Sequence, residues 1–153
     1  MILSSLLIGI SCAGETIEVV DGDSLFIGKR EIRLSGIDAP EYRQECYDSQ
    51  NNPYPCGRQA AQALRKMIKN GNITCRIVVK DKYKREVSVC SSGGVNLNKQ
   101  MVTDGWAVAY TRYTKDYISA EQKAKKQKIG IWQGRFLKPE YYRILHKEKN
   151  NPH

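Results

Sequence analysis

The stretch Thr16-Ile17-Glu18-Val19-Val20-Asp21-Gly22-Asp23-Ser24-Leu25-Phe26-Ile27-Gly28-Lys29-Arg30-Glu31-Ile32-Arg33-Leu34 decides the fold. Two β-rich runs, Thr16 to Val20 and Ser24 to Ile27, flank the turn Asp21-Gly22-Asp23. Gly28-Lys29 is a tight hairpin signal, and Glu31 to Leu34 continues as a third strand with alternating faces. Three short meandering strands at this spacing predict a small barrel or sandwich. Ser35 to Glu41 leaves the strand as a loop, with Pro40 as its stop.

Working outward, Arg58 to Asn70 carries an apolar stripe of Ala60, Leu64, Met67 and Ile68 and predicts a helix closed by Gly71. Ile73 to Lys80 and Arg85 to Cys90 are two β-rich runs around a polar turn flanked by Asp81 and Lys84. That register sets Val79 against Glu86, Ile77 against Ser88 and Cys75 against Cys90. Asn96 is placed to cap a second helix carrying Leu97, Met101 and Val102, ended by Gly105. Trp106 to Tyr110 reads as strand or buried coil. Ser119 with Gln122 has the capping-box pattern for a third helix. Ile129 to Trp132 is expected to pack back on the body, and the polar chain from His146 to fray. The order predicts an α+β domain, a five-stranded OB-type β-barrel with three helices. The boundaries are a leader at 1–13, one domain at 14–145 and a flexible tail at 146–153.

A length of 153 residues suits one domain with a real core. No apolar run is long enough to span a bilayer, so stable membrane insertion is not expected. Lys and Arg number 25 against 16 Asp and Glu, a formal net charge of +9. Such a field draws polyanions. Charge alone leaves nucleic acid, an anionic membrane and a merely solvated basic surface open.

Met1 to Ala13 is uncharged and apolar and ends in Ser11-Cys12-Ala13, small residues resembling a signal-peptidase site, although the basic start of a leader is missing. A secreted or periplasmic protein is the expectation, membrane-anchored if Cys12 is lipidated instead. The remaining cysteines are Cys46, Cys56, Cys75 and Cys90. An even number in a small exported domain predicts two disulfides. The hairpin register pairs Cys75 with Cys90, which leaves Cys46 with Cys56; four free thiols in a cytosolic protein are the alternative.

Acidic residues gather in the first turns, at Asp21, Asp23, Asp38 and Glu41, with Arg33 and Arg85 between and after them. Phosphodiester hydrolysis uses this mixture. Hard cations prefer carboxylate and carbonyl oxygens. A carboxylate can orient water or take its proton, and guanidinium forks match phosphate oxygens. Each piece alone is equally an ordinary turn or surface ion pair. The only histidines are His146 and His153, which excludes a histidine-based site in the body. The cysteines lack zinc-type spacing and the glycines form no phosphate loop.

The ordered set Val20-Asp21-Gly22-Asp23-Ser24, Ile32-Arg33-Leu34-Ser35-Gly36-Ile37-Asp38-Ala39-Pro40-Glu41 and Asp81-Lys82-Tyr83-Lys84-Arg85 closely resembles the staphylococcal nuclease (thermonuclease-like) family. Val95-Asn96-Leu97, Val102 to Trp106 and Gly130-Ile131-Trp132 fit its later segments, so the resemblance runs from Glu15 to about Arg143. It implies calcium held by Asp23, Asp38 and the Ala39 carbonyl. It implies Glu41 as general base or water-orienting group, and Arg33 and Arg85 as phosphate clamps. Tyr83 and Tyr113 would line a nucleotide pocket with Lys82 near a terminal phosphate. The implied activity is cleavage of DNA or RNA at the bond to the 5′ oxygen, leaving 3′-phosphate ends, by a monomer. The cysteine pairs resemble an exported bacterial branch.

Three positions depart from the pattern. Ala39 stands where Thr is frequent. Lys84 stands where Gly is common, which strains the turn before Arg85. Thr111 falls where a pocket tyrosine is expected unless Tyr110 serves. The other reading is a nuclease-like module that binds nucleic acid with weak or no catalysis.

Overall fold

The computed structural model describes residues 14–149. The leader expected at 1–13, Cys12 within it, and residues 150–153 of the expected tail lie outside the described residues. The strands are β1 (Ile17–Val19), β2 (Ser24–Ile27), β3 (Arg30–Leu34), β4 (Ile37–Asp38), β5 (Cys46–Tyr47), β6 (Pro53–Tyr54), β7 (Thr74–Lys80), β8 (Glu86–Ser92), β9 (Val95–Asn96) and β10 (Val108–Ala109). The helices are α1 (Cys56–Met67), α2 (Leu97–Thr103), α3 (Ile118–Gln127) and α4 (Pro139–Lys149).

The main sheet runs β1-β2-β3-β8-β7, with β9 paired to β8. The pairings are antiparallel except β3 with β8, which is parallel. The architecture is therefore α+β on a mixed sheet, as an OB-type fold requires of its central strands. Among the described residues no ladder joins β7 to β1.

Alternation along the first hairpin sends Leu25, Ile27, Ile32 and Leu34 into the core, where α1 adds Ala60, Ala61 and Leu64 and α2 adds Leu97, Met101 and Val102. Truncating a side chain such as Leu64 to Ala costs about 2–5 kcal/mol. A polar clasp crosses this core. The buried Asn98 amide donates to the carbonyls of Ser35 and Ser88, and its oxygen accepts from the Cys90 amide. It ties α2 to the parallel pair and to the chain just beyond Arg33.

Both expected disulfides form, Cys75–Cys90 as the hairpin register predicts and Cys46–Cys56 as the remaining pair. The β7–β8 register matches at Cys75–Cys90 and Ile77–Ser88, then slips. A bulge between Ile77 and Val79 sets Val79 against Val87 and Lys80 against Glu86, not Val79 against Glu86. One inserted residue lets the strand bend.

Two helix expectations need correction. The third helix is not opened by a Ser119 capping box: Tyr117 is its N-cap and makes no side-chain cap bond. And among the described residues there are four α-helices, not three. Pro139 opens α4 in the position where its missing N–H costs nothing, and His146 stacks on Tyr142 with centroids 3.8 Å apart. This helix takes in residues 146–149. Its Tyr141, Ile144 and Leu145 are exposed, so it has no core-facing stripe for periodicity to reveal.

Candidate active site

The first turn builds the acidic floor. The Asp21 carboxylate accepts from the Asp23 amide at 3.0 Å, the usual Asp-turn contact. Gly22 between them leaves no room for a side chain: a Cβ there would lie 2.7 Å from the Ala39 Cβ and 2.9 Å from that of Ala60. The turn is thereby pressed onto the Asp38-Ala39 segment. Asp23, 1% exposed, accepts from the Ala39 amide at 2.6 Å on one oxygen. Its other oxygen accepts from the Ser24 hydroxyl at 3.0 Å and Arg33 at 2.5 Å.

Arg33 projects from β3 between two carboxylates, donating to Asp23 and, at 3.0 Å, to Asp38. Burial opposes its charge, but Asp23 and Asp38 outweigh that cost and hold the guanidinium above its ordinary value. Asp38 is fixed by β4, whose partner is β10 through Asp38–Val108. Asp21 is pushed up to about 8, chiefly by burial and next by the Asp23 charge.

Glu41 sits at the rim. Its carbonyl accepts from the Gln44 amide at 2.7 Å and its own amide donates to the Gln44 side chain at 3.2 Å. Gln44 is buried and also donates to the Leu137 carbonyl at 2.8 Å. Two backbone bonds between Tyr47 and Arg135 fasten the same stretch. The loop clipped by Cys46–Cys56 thus holds the chain that leads into α4.

That helix delivers a residue sequence reasoning missed. Arg143 donates to both oxygens of Asp38, at 2.8 and 3.1 Å, and to Glu41 at 2.8 Å. Burial again opposes the charge, but these bonds hold Arg143 above its ordinary range. It stands 105 residues from Asp38 in sequence, and no local pattern marks it.

Across the opening lies the β7–β8 turn. Lys84 adopts φ 66°, the left-handed conformation the turn needs. Arg85 is still aimed into the cleft, because Asp81 organises the turn: it accepts from the amides of Tyr83 and Arg85 and from the Arg85 Nε at 2.7 Å. Burial works to raise the Asp81 carboxyl, but these bonds hold it below the usual carboxylate range. Lys82 and Arg85 lie 5.1 and 5.6 Å from the Tyr83 ring centroid.

One open cleft of about 720 Å³ collects these groups, with Arg33, Glu41, Lys82, Tyr83, Arg85, Tyr113 and Arg143 in its wall. Asp23, Asp38 and Ala39, none more than 2% exposed, lie beneath it. Tyr83 and Tyr113 stand 63% and 55% exposed at its mouth. Tyr110, next to Thr111 in the chain, also lines it, with its ring 6.0 Å from that of Tyr113.

Among the described residues, no three His, Cys, Asp or Glu side chains converge to cage a metal by themselves. The donors nevertheless suit a hard divalent cation. Two carboxylates and a backbone carbonyl are oxygen ligands of the right class, and solvent and phosphate oxygens can complete a shell.

The sequence model of the family described as "Staphylococcal nuclease homologue" matches residues 31–134. The succinoglycan biosynthesis protein ExoI of Rhizobium meliloti is 35% identical over 117 residues, covering 74% of this chain and 61% of that protein. An uncharacterized endonuclease of Haemophilus influenzae is 31% identical over 123 residues, covering 76% of this chain and 64% of its own length. One from Escherichia coli O157:H7 is 29% identical over 126 residues, covering 78% and 76%. The chain spans less than two thirds of the first two of these relatives.

Proposed function

The chain belongs to the staphylococcal nuclease family, and from that premise we propose that it is a calcium-dependent nuclease. It hydrolyses phosphodiester bonds of DNA, RNA or both, with low sequence specificity. The observation that carries this reading is the convergence of Arg33, Glu41 and Arg85 on one cleft with exposed tyrosines at its mouth. Backbone-directed binding through phosphates carries little sequence information. The sheet is read as curling into an OB-type barrel, and the two disulfides fit a secreted or periplasmic monomer.

Asp23, Asp38 and the Ala39 carbonyl would hold the cation, which when bound supplies positive charge against the phosphate oxygens. Arg33 and Arg85 clamp the scissile phosphate and meet the charge that builds on it in the transition state. Glu41 orients a water and accepts its proton as the water oxygen bonds to phosphorus. The bond from phosphorus to the 5′ oxygen breaks, that oxygen takes a proton and departs as a hydroxyl, and the phosphate remains on the 3′ end. Tyr83 and Tyr113 stack on the flanking base or sugar, and Lys82 receives a terminal phosphate. Cleavage of single-stranded DNA, double-stranded DNA and RNA, each with calcium, magnesium and chelator, tests the reading. Activity on at least one polymer with calcium, abolished by chelator, is expected. Tight binding without cleavage would instead favour a binding module.

A further inference from the structure

Arg143 occupies the acidic cluster in a way that competes with the proposed cation site. One Asp38 oxygen already accepts from Arg33 at 3.0 Å and Arg143 at 2.8 Å, and the other accepts from Arg143 at 3.1 Å. The same guanidinium bonds Glu41 at 2.8 Å, so it spans the mouth of the cluster. A calcium ion binds carboxylate oxygen at about 2.3–2.6 Å and needs lone pairs turned toward it. A carboxylate has about four such acceptor sites, and three on Asp38 are spent on guanidinium donors. Two positive centres on the same oxygens also repel.

We infer that Arg143 is a built-in cationic plug: a divalent cation takes Asp38 by displacing Arg143, and this loosens α4 from the body. The inference rests on the calcium reading of the site. The geometry of α4 supports the second half. Its Tyr141, Ile144 and Leu145 are exposed, so little apolar burial holds it down. The chain before it is fastened, by Gln44 to Leu137 and by Tyr47 to Arg135. Release therefore pivots near Pro139 and does not detach the segment. Before release, Arg143 already stands in the wall of the open cleft together with Arg33 and Arg85.

The test is calcium affinity, by titration calorimetry, of the wild type, Arg143→Ala and Arg143→Lys, with hydrogen exchange of residues 139–149 measured with and without calcium. Arg143→Ala should bind calcium about tenfold or more tightly, the scale of losing charge-assisted hydrogen bonds that compete for the same oxygens. Arg143→Lys, which keeps the charge without the fork, should fall between. Amides of α4 in the wild type should exchange faster when calcium is added. Equal or weaker calcium binding by Arg143→Ala, or α4 exchange that calcium leaves unchanged, overturns the plug while leaving the calcium site standing. No calcium binding by any of the three proteins overturns both. If Arg143→Ala does not fold, Arg143→Lys and the wild-type exchange measurement decide the matter.

Discussion

The carbonyl oxygen of Glu41 rests directly against the α-carbon of Gly57: a Cβ at residue 57 would lie 1.8 Å from that oxygen. The first turn of α1 is therefore the platform on which the Glu41 loop sits, and Gly57 is required for its close approach. Gly57→Ala must push the loop away from Asp38. Turnover should fall about 100-fold, the scale of losing a positioned general base, with a clear loss of thermal stability. Turnover at the wild-type level would show that the placement of Glu41 does not depend on this contact.

Asp21 gives a pH-dependent stability whose sign follows from its raised carboxyl, about 8 against an ordinary 3.8. The folded state holds this proton more tightly than the unfolded chain. Between those values the unfolded chain ionises first, so the group's contribution to stability is lost as pH rises from about 4 to about 8. Asp21→Asn removes the titration and keeps an oxygen to accept from the Asp23 amide. In chelator, its melting temperature should exceed the wild type's by a margin that grows from pH 5 to pH 8. A margin that stays constant contradicts the assignment.

Lys84 is strained and Arg85 is nonetheless held. A left-handed non-glycine residue costs about 1–2 kcal/mol, partly offset because glycine adds freedom to the unfolded chain. Lys84→Gly should therefore stabilise by about 0.5–1 kcal/mol in urea melts and leave turnover unchanged. Asp81→Ala removes the acceptor for both turn amides and the Arg85 Nε. It should lower turnover about tenfold with far-UV dichroism intact, on the scale of freeing a charged hydrogen-bond donor.

The disulfides should separate in their effects. Cys75–Cys90 spans β7 and β8, strands that hold none of Asp21, Asp23 and Asp38, with a sequence separation of 15. Its double serine variant should lose about 3 kcal/mol of stability and little turnover in the folded population. Cys46–Cys56 closes the loop next to Gln44 and the chain into α4. Its double serine variant should lose turnover as well as stability. Equal turnover losses in the two variants would contradict this division.

The strands and the first turns of the candidate site are legible because they are local. Asp21, Gly22 and Asp23 announce a turn, alternation from Leu25 to Leu34 announces a half-buried hairpin, and the Cys75–Cys90 register follows from a short loop. The slip at Val79 is not legible, because a bulge in β7 leaves no mark in its run of β-formers. Arg143 is hidden for a different reason. It reaches Asp38 across 105 residues from a helix whose Tyr141, Ile144 and Leu145 are exposed, so neither spacing nor periodicity singles it out. Asp21 belongs to the acidic group by type, but its half-buried place beside Asp23 needs the packing of Gly22 on Ala39 to be seen. The Tyr117 cap fails to show because Ser119 and Gln122 mimic a capping box whose Ser is already the second residue of the helix.

The most direct test of the central claim is the rate and end chemistry of single-stranded DNA cleavage by the wild type and Glu41→Gln, in calcium and in excess chelator. The wild type in calcium should yield 3′-phosphate products, Glu41→Gln should be slower by about 100-fold or more, and neither should cleave in chelator. Undiminished cleavage in chelator, or a Glu41→Gln rate equal to the wild type's, would contradict that claim.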